Sequence, residues 1–187
     1  SIIMPHEGCP LPDSITDSYR VLSRGLAEGF RILNLPVTMS RPAPRSGKLG
    51  SSAACFDALS VWELEADGKK IVGSAQARRF GSVLQHGSVL NDLNPEMLFA
   101  TMKDEKPQRL ERAKATFLEK ATSIRHLIGR PLPWNELFDA FKEGFFIALE
   151  RDLDAHFVED DLTDDELSLA EDLIENKYAT CDWNRRR

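Results

Sequence analysis

The spacing of apolar positions along the chain changes period twice, and each change marks a new kind of element. Ser1 to Pro5 reads as an opening strand, and Pro5 to Pro12 as a Pro/Gly loop holding His6, Glu7 and Cys9. Ile15, Tyr19, Leu22, Leu26, Phe30 and Leu33 then recur at helical spacing, which predicts a helix laying one stripe on a core. Asp13 or Ser14 caps it, Asp17 lies near its positive end, and Asn34 with Pro36 stops it.

Arg41 to Ser52 (RPAPRSGKLGSS) is a basic Pro/Gly/Ser-rich connection leading into Cys55. Beyond it the period falls to two. In Val61 to Ala66, Trp62, Leu64 and Ala66 fall on one side, with Val61, Glu63 and Glu65 on the other. Asp67-Gly68 is a hairpin signal, because both positions tolerate positive φ. Lys70 to Ala77 is the return strand and Val83 to Leu90 a third, an antiparallel meander in which Gly73, Gly81 and Gly87 leave room for close approach.

Helical spacing returns at Asn94-Pro95, a cap and first-turn pair. Arg109 to Lys120 and Ser123 to Ile128 read as two more helices. Pro133 opens the longest one, with Trp134, Leu137, Phe138, Phe141, Phe145 and Leu149 along one face. His156 to Val158 is a last short strand, and Thr163 to Glu166 a capping box for a helix burying Leu167, Ala170, Leu173 and Ile174. A sheet followed by segregated helices is an α+β domain, and the length suits one domain over residues 1–187.

Composition narrows the classes of function. A net charge of −6 argues against a general nucleic-acid binder, and Arg185 to Arg187 read as a solvated tail. No apolar run approaches the ~20 residues that cross a bilayer, and no signal segment opens the chain. The three cysteines, Cys9, Cys55 and Cys181, form neither a disulfide framework nor a zinc set, which suits a reducing cytoplasm and predicts no metal.

Cys9 and Cys181 read as small core hydrophobes. Cys55 departs from that reading, since it ends a loop and precedes a glycine-punctuated hairpin, where nearby positive charge can favour a thiolate. Lys69 and Lys70 point to opposite faces, and one of them can meet the cysteine side of the sheet. Ile71-Val72-Gly73-Ser74-Ala75 then leaves space for a thin ligand. His86 is a site-lining candidate, Arg78 and Arg79 candidates for an acidic partner or a phosphate. No phosphate-cradling glycine loop is present.

The run SSAACFDALSVWELEADGKKIVGSAQARR followed by LQHGSVLND resembles the biotin/lipoate protein ligase superfamily, and within it the cysteine-dependent octanoyltransferases of lipoate synthesis. Asn176-Lys177-Tyr178 with Trp183-Asn184 is similar to that family's C-terminal signature. The resemblance implies a class II synthetase-like fold, an antiparallel or mixed sheet flanked by helices. It also implies that Cys55 takes an octanoyl group from acyl carrier protein as a thioester. A lysine of the glycine cleavage H protein, or of another lipoyl domain, then accepts it. Lys70 matches the family's active-site lysine, and Gly73, Ser74, Ala75, Gln76, His86 and Gly87 line the substrate. No cofactor or ATP is needed, and no nucleic acid or membrane partner. An upstream arginine- and glycine-rich segment of the family has no counterpart here, so the chain is expected to be an N-terminally incomplete copy. The alternatives are an ATP-dependent lipoate-protein ligase, an amidotransferase that moves octanoyl between lipoyl domains, and a non-catalytic lipoyl-domain-binding subunit.

Overall fold

The computed structural model describes residues 1–8, 10–40, 62–101 and 107–185. Cys55, Val61, Cys9 and the Arg41 to Ser52 connection lie outside them. The chain divides into two units, Ser1–Ala155 and His156–Arg187.

In the first unit, β1 (Ile2–Pro5), β5 (Val72–Arg79) and β6 (Ser82–Val89) form an antiparallel sheet in the order β1-β6-β5. A second sheet joins β2 (Thr38–Met39), β3 (Leu64–Ala66) and β4 (Lys69–Lys70) in the order β2-β3-β4. The β3–β4 hairpin turns at Asp67 and Gly68, with φ of 51° and 72°, as the Asp-Gly pair predicts. The expected single meander is corrected. The return strand breaks at Ile71, so the chain leaves one sheet and enters the other there. Ile71 N–H donates to the Leu64 carbonyl at 3.0 Å, and its own carbonyl accepts from Leu90 N–H at 3.0 Å. These non-local bonds override a local alternation that would have continued.

Helix α1 (Ile15–Ile32) starts where Ser14 accepts from Asp17 N–H. Helix α5 (Trp134–Leu153) packs across it. Their close approach comes from small residues: a Cβ on Gly144 would lie 2.3 Å from Gly29 N, and Gly25 and Gly29 face the rings of Phe145 and Phe141. The predicted stripes are therefore only partly the buried ones. Phe30, Leu22, Leu137 and Leu149 are buried, whereas Ile15, Trp134 and Phe138 are exposed.

The core runs from Phe30 through Leu64, Ile71, Val72, Ile124 and Leu137, joining both sheets to α1, α5 and the short α4 (Ile124–Ile128). Leu22, Val83 and Leu149 extend it under β6. Helices α2 (Pro95–Ala100) and α3 (Pro107–Lys120) meet through Phe99 and Phe117.

Arg24 Nη1 bonds Asp152 Oδ2 at 2.9 Å across α1 and α5. Arg151 foremost, and Arg24 with it, hold the Asp152 carboxyl down to about 2 against the cost of its burial. A carboxyl lowered on folding stabilises above its unfolded range, near pH ~4, and loses that contribution as pH falls toward 2. Asp152→Asn is therefore expected to lower stability by ~1 kcal/mol above pH ~5, after allowance for solvent screening. Urea titrations of the two proteins should converge below pH ~2; a gap unchanged with pH contradicts the assignment.

In the second unit, Thr163 and Glu166 form the predicted capping box at the start of α6 (Asp164–Leu173). A π-helical stretch (Ile174–Tyr178) and α7 (Cys181–Asn184) follow. Three expectations fail here: His156 to Val158 is not a strand, Leu167 and Ile174 are exposed, and Cys181 is exposed rather than a core hydrophobe. The C-terminal signature has a local geometry. Lys177 Nζ stands 5.0 Å from the ring centroids of both Tyr178 and Trp183, and Asn184 Nδ2 donates to the Tyr178 carbonyl at 2.8 Å.

Candidate functional site

The two lysines after the turn take opposite faces, as strand periodicity requires. Lys69 Nζ donates to the Leu118 carbonyl at 3.0 Å. Lys70 turns inward, and its backbone is held on both flanks: it pairs with Glu65 in β3, and its carbonyl accepts from Thr122 N–H at 2.9 Å. Its ammonium donates to Glu63 Oε1 at 2.6 Å, and both side chains are only 4% exposed. A lysine this dry requires a partner, since an isolated buried ammonium is far costlier than a paired one.

Sequence reasoning missed Glu63. Simple alternation puts it beside Glu65 on the outer side. The structure puts Trp62 at φ 67°, a left-handed conformation unusual for an aromatic residue, and the alternation is broken there. Glu63 is thereby buried, at 6% exposure. A hairpin bearing an inward lysine needs an inward carboxylate, and that is the signal that could have found it.

Tyr19 of α1, Leu26, Trp62, Val72 and Ser74 line a small recess together with Glu63. Burial pushes the Tyr19 phenol up, the hydrogen bond with Gln85 opposes this, and the Glu63 carboxylate raises it further.

The remaining predicted site residues lie on paired strands but not on one face. Register pairs Ser74 with Gly87, Ala75 with His86 and Gln76 with Gln85. Ser74 and Gly87 line an apolar cavity of about 590 Å³ bounded by Leu26, Phe141 and Phe145. Gly87 has no room for a side chain: a Cβ would lie 2.7 Å from the Gly73 carbonyl oxygen and from Ser74 Oγ. Gln76 belongs to a structural network, donating to Gln85 at 3.1 Å and accepting from Ser18 and Arg78. Arg78 also donates to the Pro12 and Asp13 carbonyls, so it pins the entry to α1 and is not placed to await an acidic partner. On the other face, Gly73, Ala75 and His86 alternate with those residues, as the pleat requires. Ala75 and His86 are exposed, and His86 Nδ1 is hydrogen-bonded to Ser1 Oγ at 2.9 Å.

Among the described residues no cluster of His, Cys, Asp and Glu could hold a metal ion, and no helix is long and apolar enough to cross a membrane.

This chain resembles known proteins along its whole length. The octanoyltransferases LipM of Brevibacillus brevis and Bacillus subtilis are each 38% identical over an alignment of 191 positions, gaps included. The alignments cover 100% of this chain, but 68% and 67% of those proteins. A crystal structure of lipoate-protein ligase A bound with ATP superposes with a TM-score of 0.62 at 26% identity, covering 91% of this chain and 59% of that one. The bi-partite lipoate protein ligase of Thermoplasma acidophilum gives 0.66 at 25% identity, over 94% and 62%. The chain thus spans about two thirds of the octanoyltransferases and about three fifths of the ligases. The sequence model of the lipoyl protein ligase A/B catalytic domain matches residues 1–146, and the chain belongs to that family.

Proposed function

We propose that this chain is the catalytic domain, residues 1–187, of a cytoplasmic acyltransferase of lipoate biosynthesis. It moves an octanoyl group from acyl carrier protein, through Cys55, to a lysine of a lipoyl domain such as the glycine cleavage H protein. The observation that carries this reading is the match to octanoyltransferases along the whole chain.

The chemistry balances without ATP. The Cys55 thiolate adds to the donor thioester carbonyl, and the carrier's thiolate leaves and takes up a proton. The acceptor's neutral amine then attacks the Cys55 thioester, an amide forms, the thiolate is released and the amine proton is lost. An ammonium at Lys70 stabilises both the attacking thiolate and the oxyanion that each addition produces.

The acyl carbonyl must come within reach of the Lys70 ammonium, which turns inward, so the acyl chain belongs on the inward face of β5. Leu26, Val72 and Ser74 line both the recess at Glu63 and the apolar cavity, and Gly87 lines that cavity beside Ser74. Gly73, Ala75 and His86 support it from the other side of the same strand pair. Ser74→Phe is thus expected to cut octanoyl transfer by roughly 10- to 100-fold while acetyl transfer falls less. If Ala75→Phe has that effect and Ser74→Phe does not, the acyl chain lies on the exposed face.

The function itself is tested by incubating the protein with octanoyl-acyl carrier protein and a lipoyl domain, and weighing the domain. Octanoylation without ATP that is lost in Cys55→Ala is the expected result. Modification that needs ATP and survives Cys55→Ala identifies a ligase, and modification under neither condition leaves a binding subunit.

A further inference from the structure

We infer that Glu63 is the positioning residue for Lys70 in acyl transfer, the carboxylate that fixes the lysine's ammonium where the oxyanion forms. The inference rests on the reading of Lys70 given above and adds to it a residue which neither motif nor family likeness singled out.

Three independent features place Glu63 in this role. The first is the contact: Lys70 Nζ to Glu63 Oε1 is 2.6 Å, between side chains that are 4% exposed. In such a dry setting a charge pair is held much more firmly than at a surface, so the flexible lysine stem loses most of its freedom before substrate arrives. Preorganisation of this kind is what makes a single ammonium effective against a transient oxyanion.

The second is the backbone. Trp62, immediately before Glu63, has φ 67°. A left-handed aromatic residue costs on the order of 1–3 kcal/mol and persists only where its surroundings impose it. Here the Arg20 guanidinium lies 5.7 Å from the Trp62 ring centroid, and Ser40 N–H donates to the Glu63 carbonyl at 2.7 Å. Trp62 Nε1 is buried with no hydrogen-bond partner among the described residues. The fold tolerates a left-handed aromatic residue next to the residue that holds the lysine. A carboxylate serving stability alone does not require this, because an apolar pair of similar size fills such a space at equal or lower cost.

The third is location. Glu63 shares its recess with Ser74 and Val72, on the strand whose residues are proposed to carry the acyl chain. The pair therefore stands at the start of that strand, beside the point where the chain passes between sheets.

Glu63→Gln keeps the shape and removes the charge. The expected result is a kcat lowered by roughly 30- to 100-fold, with the KM for octanoyl-acyl carrier protein within about threefold of wild type. Circular dichroism is run alongside to establish that the variant is folded. Glu63→Asp, which keeps the charge one methylene back, should recover part of the lost kcat. A purely structural role lowers the urea midpoint in the same order by charge, but leaves the kcat of the folded fraction unchanged in both variants. A Glu63→Gln kcat within about threefold of wild type, while Lys70→Met is inactive, overturns the inference and leaves the Lys70 reading intact. Full activity in Lys70→Met sinks the reading on which the inference rests. If Glu63→Gln does not fold, Glu63→Asp decides alone: kcat reduced roughly 10-fold at unchanged KM supports the role, and wild-type kcat overturns it.

Discussion

Lys70→Met is expected to unfold at a markedly lower urea concentration than wild type, and adding Glu63→Gln to it should restore most of the loss. Both partners are almost wholly buried and their charged atoms are 2.6 Å apart. Removing the ammonium alone strands a carboxylate in a dry interior, which costs about 3–5 kcal/mol. Removing both charges leaves a methionine stem and a neutral amide in the same space, and such neutral replacements are often tolerated. The single and double variants form a cycle whose coupling should be strongly favourable, because the residues touch. Activity should follow a different course: both Lys70→Met proteins are expected to be inactive, including the restored one. That split between stability and rate separates a functional ammonium from a structural one. A double variant as unstable as Lys70→Met contradicts the account of the pair.

The second large effect is expected at the crossing of α1 and α5, at Gly144. Glycine to alanine in a helix interior ordinarily gains about 1 kcal/mol from backbone propensity. Here the sign should reverse. The new Cβ would lie 2.3 Å from Gly29 N and 2.7 Å from the Gly25 carbonyl oxygen, both backbone atoms of α1. No side chain can swing aside to relieve them, so the two helices must separate, and the Phe30–Phe141 edge contact between them, with centroids 5.0 Å apart, is disturbed. Overpacking of this kind costs roughly 3 kcal/mol. In a unit of this size that lowers the midpoint of thermal unfolding by about 10 °C. A Gly144→Ala midpoint at or above wild type contradicts the close crossing of α1 and α5.

Much of the fold is legible in the sequence where local chemistry decides it. Ser14, Asn94, Ser123 and Thr163 each cap the helix predicted to follow, because a short side chain needs only its own backbone amides three residues on. The Asp67-Gly68 turn is legible for a similar reason: positive φ is a property of those two residues. What could not be read depends on distant atoms. The sheet change at Ile71 is set by Leu64 and Leu90, and nothing within Lys70 to Ala77 announces it. The α1–α5 contact runs through glycines that an apolar stripe does not count. The strand period requires that Lys69 and Lys70 take opposite faces, and only the family likeness pointed to Lys70, whereas its partner Glu63 was hidden by the turn at Trp62. The small residues after Lys70 were read as one lining, yet a strand presents them to two faces in alternation.

The central claim is that a thioester forms on Cys55, and the intact mass of the protein tests it most directly. After brief incubation with octanoyl-acyl carrier protein and no acceptor, the account predicts a mass increase of one octanoyl group. The adduct should be removable by hydroxylamine, located at Cys55 by peptide mapping, absent in Cys55→Ala and much reduced in Lys70→Met. An unchanged mass in wild type, or an octanoyl group that persists in Cys55→Ala, contradicts it.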